Sequence, residues 1–421
     1  MLTAGDTLSL TIDKPAAGGR MIARVNGQIV LVSGAIPGER LVVRIERVGK
    51  GVAYAGPVDI EEASADRRAP VADPLCGGCL YNHIAYPRQL EIKRDVIADA
   101  FKRIGRLTIP GAVSLTGSPQ EGYRMRARLH VRDHRFGFFR EGSHEVCDAR
   151  LTRQLLPETC DAIDRVATAV KALSVEGVRE IEIAENLDAS DRVIALDVVA
   201  PPSADALARI GEVSGFTGVV TAFGGRGDPH VSDRLSLATG ATVVLRRHVH
   251  AFFQGNRHLL VPLVQHVVER SVTGHEVVDL YAGVGLFSVA VAATQGVRVT
   301  AVEGDRHAAA DLAANIQSAG ASAVAVHQSV EQFVAQARPT ANVSSGTVIV
   351  DPPRTGMSRE ALDGLLRLRA ARVTYVSCDV ATLARDARRI VDAGYVIDSV
   401  DGFDLFPNTP HVETVVGFTR N

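Results

Sequence analysis

The alternation of segments from residue 249 to residue 421 narrows the fold most. Apolar, β-branched runs alternate with helix-length stretches: HEVVDLYAG precedes GLFSVAVAATQ, and RVTAVEGD precedes RHAAADLAANIQSAG. AVAVHQS, TVIVDPP, RVTYVSC and YVIDSVDGFDLF supply further strand-like runs. Several stay apolar until a polar last residue, as strands do when helices cover both faces of their sheet. Strands joined through crossover helices pair in parallel. Residues 249–421 are therefore expected to form a doubly wound, Rossmann-like α/β domain, with ligands beyond the carboxyl ends of its strands.

Those strand ends carry an unusual set of residues. Gly283 and Gly285 lie between a strand and a helix, where backbone must come close to a ligand. Glu303 ends the next strand, at the distance from the glycines that suits a ribose-binding acid. The third glycine of a dinucleotide fingerprint is absent, since Ser288 takes its place. A mononucleoside cofactor such as S-adenosylmethionine fits better than NAD. Asp351 opens DPPRTG, whose prolines take the chain out of the ladder and over the pocket. Cys378 ends RVTYVSC, and Glu413 enters the final strand. A lone thiol at a strand end is ordinarily a small core residue. Glycine, acids and a thiol on one rim favour a catalytic cysteine instead.

The remainder divides in two. Residues 1–58 read as all-β: TLSLTI, RMIARV, QIVLVS and RLVVRIERV are separated by turn sequences such as NG and AIPGE. This is the pattern of a small OB-like barrel that binds oligonucleotides. Residues 59–248 hold CGGC at 76–79, a helical stretch, and the basic strand YRMRARLHVR with FGFFREGSHEV as its hairpin partner, so a mixed α+β central domain is expected. Side chains alternate along a strand, so Arg124, Arg126 and Arg128 share a face and repel one another unless an anion lies there. A phosphate-tracking surface explains that better than a charge-protected edge. The formal charge is −2, so nucleic acid must be met by such a local patch. Five cysteines, an odd number, speak against a disulfide framework. The N-terminal stretch has no signal-peptide pattern and no apolar run is long enough to span a bilayer, so a cytoplasmic protein without a membrane partner is expected; a monomer is the accompanying expectation.

FFQGN (252–256), DLYAGVGLFS, VEGD, DPPR, SCD and PHVE stand in the order and spacing of the RNA 5-methyluridine methyltransferases. That group methylates uracil in the tRNA T-loop and in 23S ribosomal RNA, and the chain resembles it over nearly its whole length. The resemblance implies that residues 1–58 are a TRAM barrel, and that the substrate is RNA. It implies S-adenosylmethionine contacts from Gln254, Tyr281, Glu303 and Asp351 beside Gly283 and Gly285. It makes Cys378 the nucleophile and Glu413 the base. CGGC with Cys147 looks like part of the family's iron–sulfur site, with Cys76, Cys79 and Cys147 as ligands of a 4Fe–4S cluster.

Three departures stand out. The further cysteine that cluster-bearing members have upstream is proline at position 70, leaving Asp73 or solvent for the fourth iron. Zinc with His83 or His144 is the rival, and a site without metal the third reading; Cys160 reads as a core residue. Leu286 and Ser329 replace polar residues common in the family. Two other functions compete: an amino-methylating enzyme, which needs no thiol, and a non-catalytic RNA-binding or assembly factor, which needs neither Cys378 nor Glu413. The appended barrel leans towards 23S ribosomal RNA over the tRNA T-loop, by family association.

Overall fold

The structure, a computed structural model, describes residues 2–132, 135–271, 274–338 and 340–420. The alternating C-terminal segments form one eight-stranded sheet. Its order is Ala323–His327, Arg298–Glu303, Glu276–Leu280, Thr347–Val350, Arg372–Ser377, Glu413–Arg420, Tyr395–Phe403 and Ser114–Thr116. The first five strands are parallel, and Glu413–Arg420 runs antiparallel to both neighbours. Helices cover both faces and divide the core into two apolar layers, one around Val289, Leu312 and Leu263, the other around Leu365, Leu383 and Val348. The strand order reverses between Glu276–Leu280 and Thr347–Val350, the switch point where such sheets bind ligands.

Residues 7–62 form a six-stranded sheet around Leu10, Met21, Val30, Leu41, Val43 and Ala53. The four strands expected there are present, in company with a short Lys14–Pro15 strand and Val52–Glu62. The latter carries the sheet past residue 58, and its outer half (residues 57–62) is exposed. The central region has a seven-stranded sheet that includes the expected hairpin Arg126–Arg132 and Arg135–Phe139. No helix among the described residues is long and apolar enough to cross a membrane.

Two segments placed in a central domain of 59–248 join the C-terminal cores instead. Val96, Ile97, Phe101 and Val113 pack with Leu383 and Ala384, and Ser114–Thr116 pairs with the edge strand Tyr395–Phe403. The hairpin His230–Ser236 and Thr242–His248 supplies Leu235, Leu237, Val243 and Leu245 to the other apolar layer. An amphipathic element shows in sequence that it needs a partner, but not which sheet will cover it.

Candidate active site

The site is built where the parallel strands end. Gly283 has φ +57°, and a Cβ there would project into open space, so the turn leaves room directly above its backbone. Glu303 fixes that turn: its Oε2 accepts from Gly283 N at 2.7 Å and its Oε1 from Asp305 N at 2.7 Å. Tyr281 takes a positive φ of 63°, which costs a non-glycine residue energy and occurs where a neighbouring site demands it. Gln254 Nε2 donates to Asp351 Oδ2 at 3.2 Å, joining FFQGN to DPPR. Gln254, Tyr281, Gly283, Gly285, Glu303 and Asp351 thus meet around the switch point. They fit a nucleoside with a cationic end: an acid for ribose hydroxyls, bare backbone for close approach, and buried carboxylates at the far side. Leu286 is buried, and Ser329 spends its hydroxyl on capping the next helix, where it accepts from Gln332 N.

Cys378 and Glu413 come together through strand register. Ser377 pairs with Thr414, so the next rung brings Cys378 beside Glu413. Cys378 is partly exposed and carries a free thiol, whereas Glu413 is 1% exposed and its Oε1 has no hydrogen-bond partner. Burial, then the Glu413 charge, pushes the thiol up to about 12, while Arg354 pulls the other way. Burial and then Asp351 raise Glu413 well above the usual carboxylate range. Asp279 completes a row of buried acids; burial lifts it to about 7, against the pull of the hydrogen bond from Ser288. The carboxyls of Asp279 and Glu413 therefore hold protons far more readily than exposed acids do. Arg354 and His411 were visible only as letters of DPPR and PHVE. In the fold Arg354 is the cation acting on both Cys378 and Glu413. Burial and then Arg354 lower His411 to about 4, so its imidazole is neutral at pH 7.

The arginine face differs from its sequence expectation. Only Arg126 and Arg128 lie in the strand; Arg124 sits before it, bonded to Gln154 Oε1 at 2.7 Å and to the carbonyl of Arg126 at 2.9 Å. An anion does lie on this face, but it is the protein's own Glu182, the ladder partner of Arg128. Glu182 also bonds His250 at 3.1 Å and stands 4.0 Å from Arg126. Phe252, which sequence reasoning passed over, is 61% exposed two residues before Gln254, with the Arg126 guanidinium 5.7 Å from its ring centre.

The expected 4Fe–4S site is not supported. Cys76 and Cys147 are joined in a disulfide, with Cα atoms 5.9 Å apart. Cys79 is a buried thiol raised to about 12 by burial and then by Asp73, and Asp73 is bound to Arg140 at 2.6 Å. His83 is buried against the carbonyl of Ala35, and His144 is exposed at the edge of Phe139. No group of three or more His, Cys, Asp or Glu among the described residues is disposed to hold a metal ion. These residues do not fit a cluster or a zinc ion as they stand. A missing fourth cysteine was legible in the sequence; the pairing of two of the remaining three was not. Cys160 is a core residue, as expected.

A doubly wound domain with glycines, acids and a thiol on one rim, beside a small β-sheet domain, suits a methyltransferase that acts on nucleic acid. Comparison with known proteins narrows this. Residues 227–421 match the family model for tRNA (uracil-5-)-methyltransferases, and residues 2–58 match the TRAM domain. The chain is 33% identical to a 23S rRNA (uracil(1939)-C(5))-methyltransferase RlmD from Halomonas elongata, covering 97% of this chain and 88% of the relative. It is 30% identical to the RlmD of Methylococcus capsulatus, covering 99% and 97%. The Pyrococcus abyssi tRNA (uracil-54, C5)-methyltransferase, solved with S-adenosyl-L-homocysteine, shares the fold at a TM-score of 0.78 and 24% identity, covering 97% of this chain and 99% of that one. The chain belongs to the RNA uracil-C5 methyltransferase family, whose methyl donor is S-adenosylmethionine.

Proposed function

We propose that the protein methylates carbon 5 of one uridine in 23S ribosomal RNA through a covalent adduct with Cys378. The observation that supports the chemistry is the pairing of Ser377 with Thr414, which brings the following residue, the partly exposed Cys378, close to the buried Glu413 whose charge acts on it. The ribosomal target rests on the two relatives of that name, of which the chain covers 88% and 97%.

Carbon 5 of uracil is a poor nucleophile. Addition of the Cys378 thiolate to carbon 6 forms an S–C6 bond and moves the ring's double-bond electrons into an enolate, so carbon 5 becomes reactive. Gln254, Tyr281, Gly283, Gly285, Glu303 and Asp351 would hold S-adenosylmethionine, which would supply the methyl group: the bond to carbon 5 forms as the methyl–sulfonium bond breaks, and S-adenosylhomocysteine leaves. Glu413 then removes the proton from carbon 5; the electrons of that C–H bond restore the double bond and expel the Cys378 sulfur. Cysteine suits the role because it is both strongly nucleophilic and able to leave. Arg354 favours the thiolate, opposing the burial that holds the thiol protonated.

The uridine must leave its stack to reach this rim. Phe252 offers an exposed aromatic face for RNA bases, and Arg126 and Arg128 supply phosphate contacts in exchange for part of their hold on Glu182. Arg124 acts by bracing the strand. Incubation of the enzyme and S-adenosylmethionine with RNA containing 5-fluorouridine tests the reading. A complex that survives denaturing gels is expected, and its persistence in Cys378→Ala would refute the nucleophile. A deletion strain shows which uridine loses its methyl group; loss in the tRNA T-loop alone would refute the ribosomal target.

A further inference from the structure

Between Phe403 and Glu413 the chain has no regular structure, yet most of it is buried. Buried irregular backbone must find partners for its polar groups. Here they come one by one from elsewhere in the chain. The Leu405 carbonyl accepts from Asn256 Nδ2 at 3.0 Å, and that of Phe406 from Lys93 Nζ at 3.1 Å. The Pro407 carbonyl accepts from the Tyr123 hydroxyl at 3.4 Å, and that of Asn408 from Tyr81 N at 2.8 Å. Four consecutive carbonyls are thus held by four residues remote in sequence. Asn408, at φ +62°, is further fixed by Gln89, which accepts from its N–H and donates to its Oδ1, both at 2.9 Å.

Two cationic side chains belong to this clamp: Arg68 donates to Asn408 Oδ1 at 2.7 Å, and Lys93 differs from it in being wholly buried, where burial lowers its basicity and Asp404 raises it. Lys93 Nζ meets Asp404 Oδ1 at 2.5 Å, and the two side chains are 1% and 0% exposed. Gln89 and Lys93 lie one turn apart on helix Tyr86–Ala100, so a single face grips the first half of the segment, at Asp404, Phe406 and Asn408. A buried ion pair is a poor device for stability, since desolvation offsets most of the attraction; its better-attested use is to fix one register. The register fixed here matters, because Phe403 pairs with Glu413 across the mouth of the loop and His411 lies within it.

We infer that Lys93 is a positioning residue for the transfer reaction: through Asp404 and the Phe406 carbonyl it sets the loop that presents Glu413 to the uracil bound at Cys378. This rests on Glu413 being the base, so both are tested together. Lys93→Met with Asp404→Asn removes both charges and leaves no ion buried alone. The full-length variant should still melt cooperatively and bind S-adenosylhomocysteine and RNA as the wild type does. Its turnover should fall about a hundredfold, the scale of an ångström-size misplacement. With ordinary uridine RNA it should accumulate a methylated covalent complex, the outcome also expected of Glu413→Gln, and adding Glu413→Gln should cause no further loss. Normal turnover would overturn the role, as would slow turnover without the trapped complex. Loss of cooperative melting, or a parallel loss of cofactor or RNA binding, would show that the pair supports the fold at large, and would overturn it too. If Glu413→Gln itself turns over normally, the base assignment falls; if it traps RNA and the double variant does not, the role of Lys93 alone falls.

Discussion

Replacing Glu413 by glutamine separates the two halves of the reaction. Thiol addition and methyl transfer precede loss of the carbon 5 proton, so removing the base should close only the exit. The structure makes this a clean perturbation. Glu413 is 1% exposed and its Oε1 has no partner, so an amide of the same size displaces no hydrogen bond at that atom. Burial and Asp351 already raise this carboxyl, so its ionisation works against folding and the neutral amide carries no such cost. The same raised value makes the carboxylate a stronger base near neutral pH, where general bases are most effective. A positioned base contributes about a hundredfold or more, so turnover should fall by at least that factor, roughly 2.7 kcal/mol of barrier. Single-turnover mixing with uridine RNA and labelled methyl donor, followed by denaturing gels, should show methyl-labelled protein–RNA complex persisting in the variant and little of it in the wild type. Normal turnover would refute the assignment and move attention to Asp379 beside the nucleophile. Slow turnover without trapped RNA would mean that Glu413 acts earlier, in cofactor binding or in seating the uracil.

Because burial holds the Cys378 thiol protonated up to about 12, adduct formation with 5-fluorouridine RNA should quicken about tenfold per pH unit between pH 7 and 9; a flat profile would show that bound RNA has already released the proton. Arg126→Ala and Arg128→Ala should each flatten the log–log salt dependence of RNA binding by less than about one unit, since Glu182 already engages both, whereas Arg124→Ala should lower the melting temperature and leave the slope alone; unchanged slopes in the first two would make this face a solvated edge. Asp279 has its folded value raised from 3.8 to about 7, so its contribution to stability is complete below pH 4 and disappears as pH rises to about 7. The full difference is roughly 4 kcal/mol, and Asp279→Asn should remove that pH dependence in denaturant titrations; an unchanged curve would mean that Asp279 ionises as an exposed acid does.

The sequence by itself determined what local chemistry can write. Period-two and buried-strand patterns gave the doubly wound domain and the small β domain, because side-chain alternation and strand ends are properties of a few adjacent residues. The same locality exposed Gly283, Gly285, Glu303, Asp351, Cys378 and Glu413, since a strand that stops on a glycine, acid or thiol marks the rim on which ligands sit. Register then decided that Cys378 and Glu413 are neighbours, although thirty-four residues separate them in the chain. Only the tertiary structure turned Arg124 inward, gave Glu182 to Arg126 and Arg128, and joined Cys76 to Cys147. It alone moved Ser114–Thr116 onto the C-terminal sheet and brought Lys93 to Asp404 across more than three hundred residues. The physical reason is common to these cases. A charge, a thiol or an edge strand advertises that it needs a partner, but the partner is chosen by which surfaces the packed cores bring within reach, and no pattern along the chain records that choice.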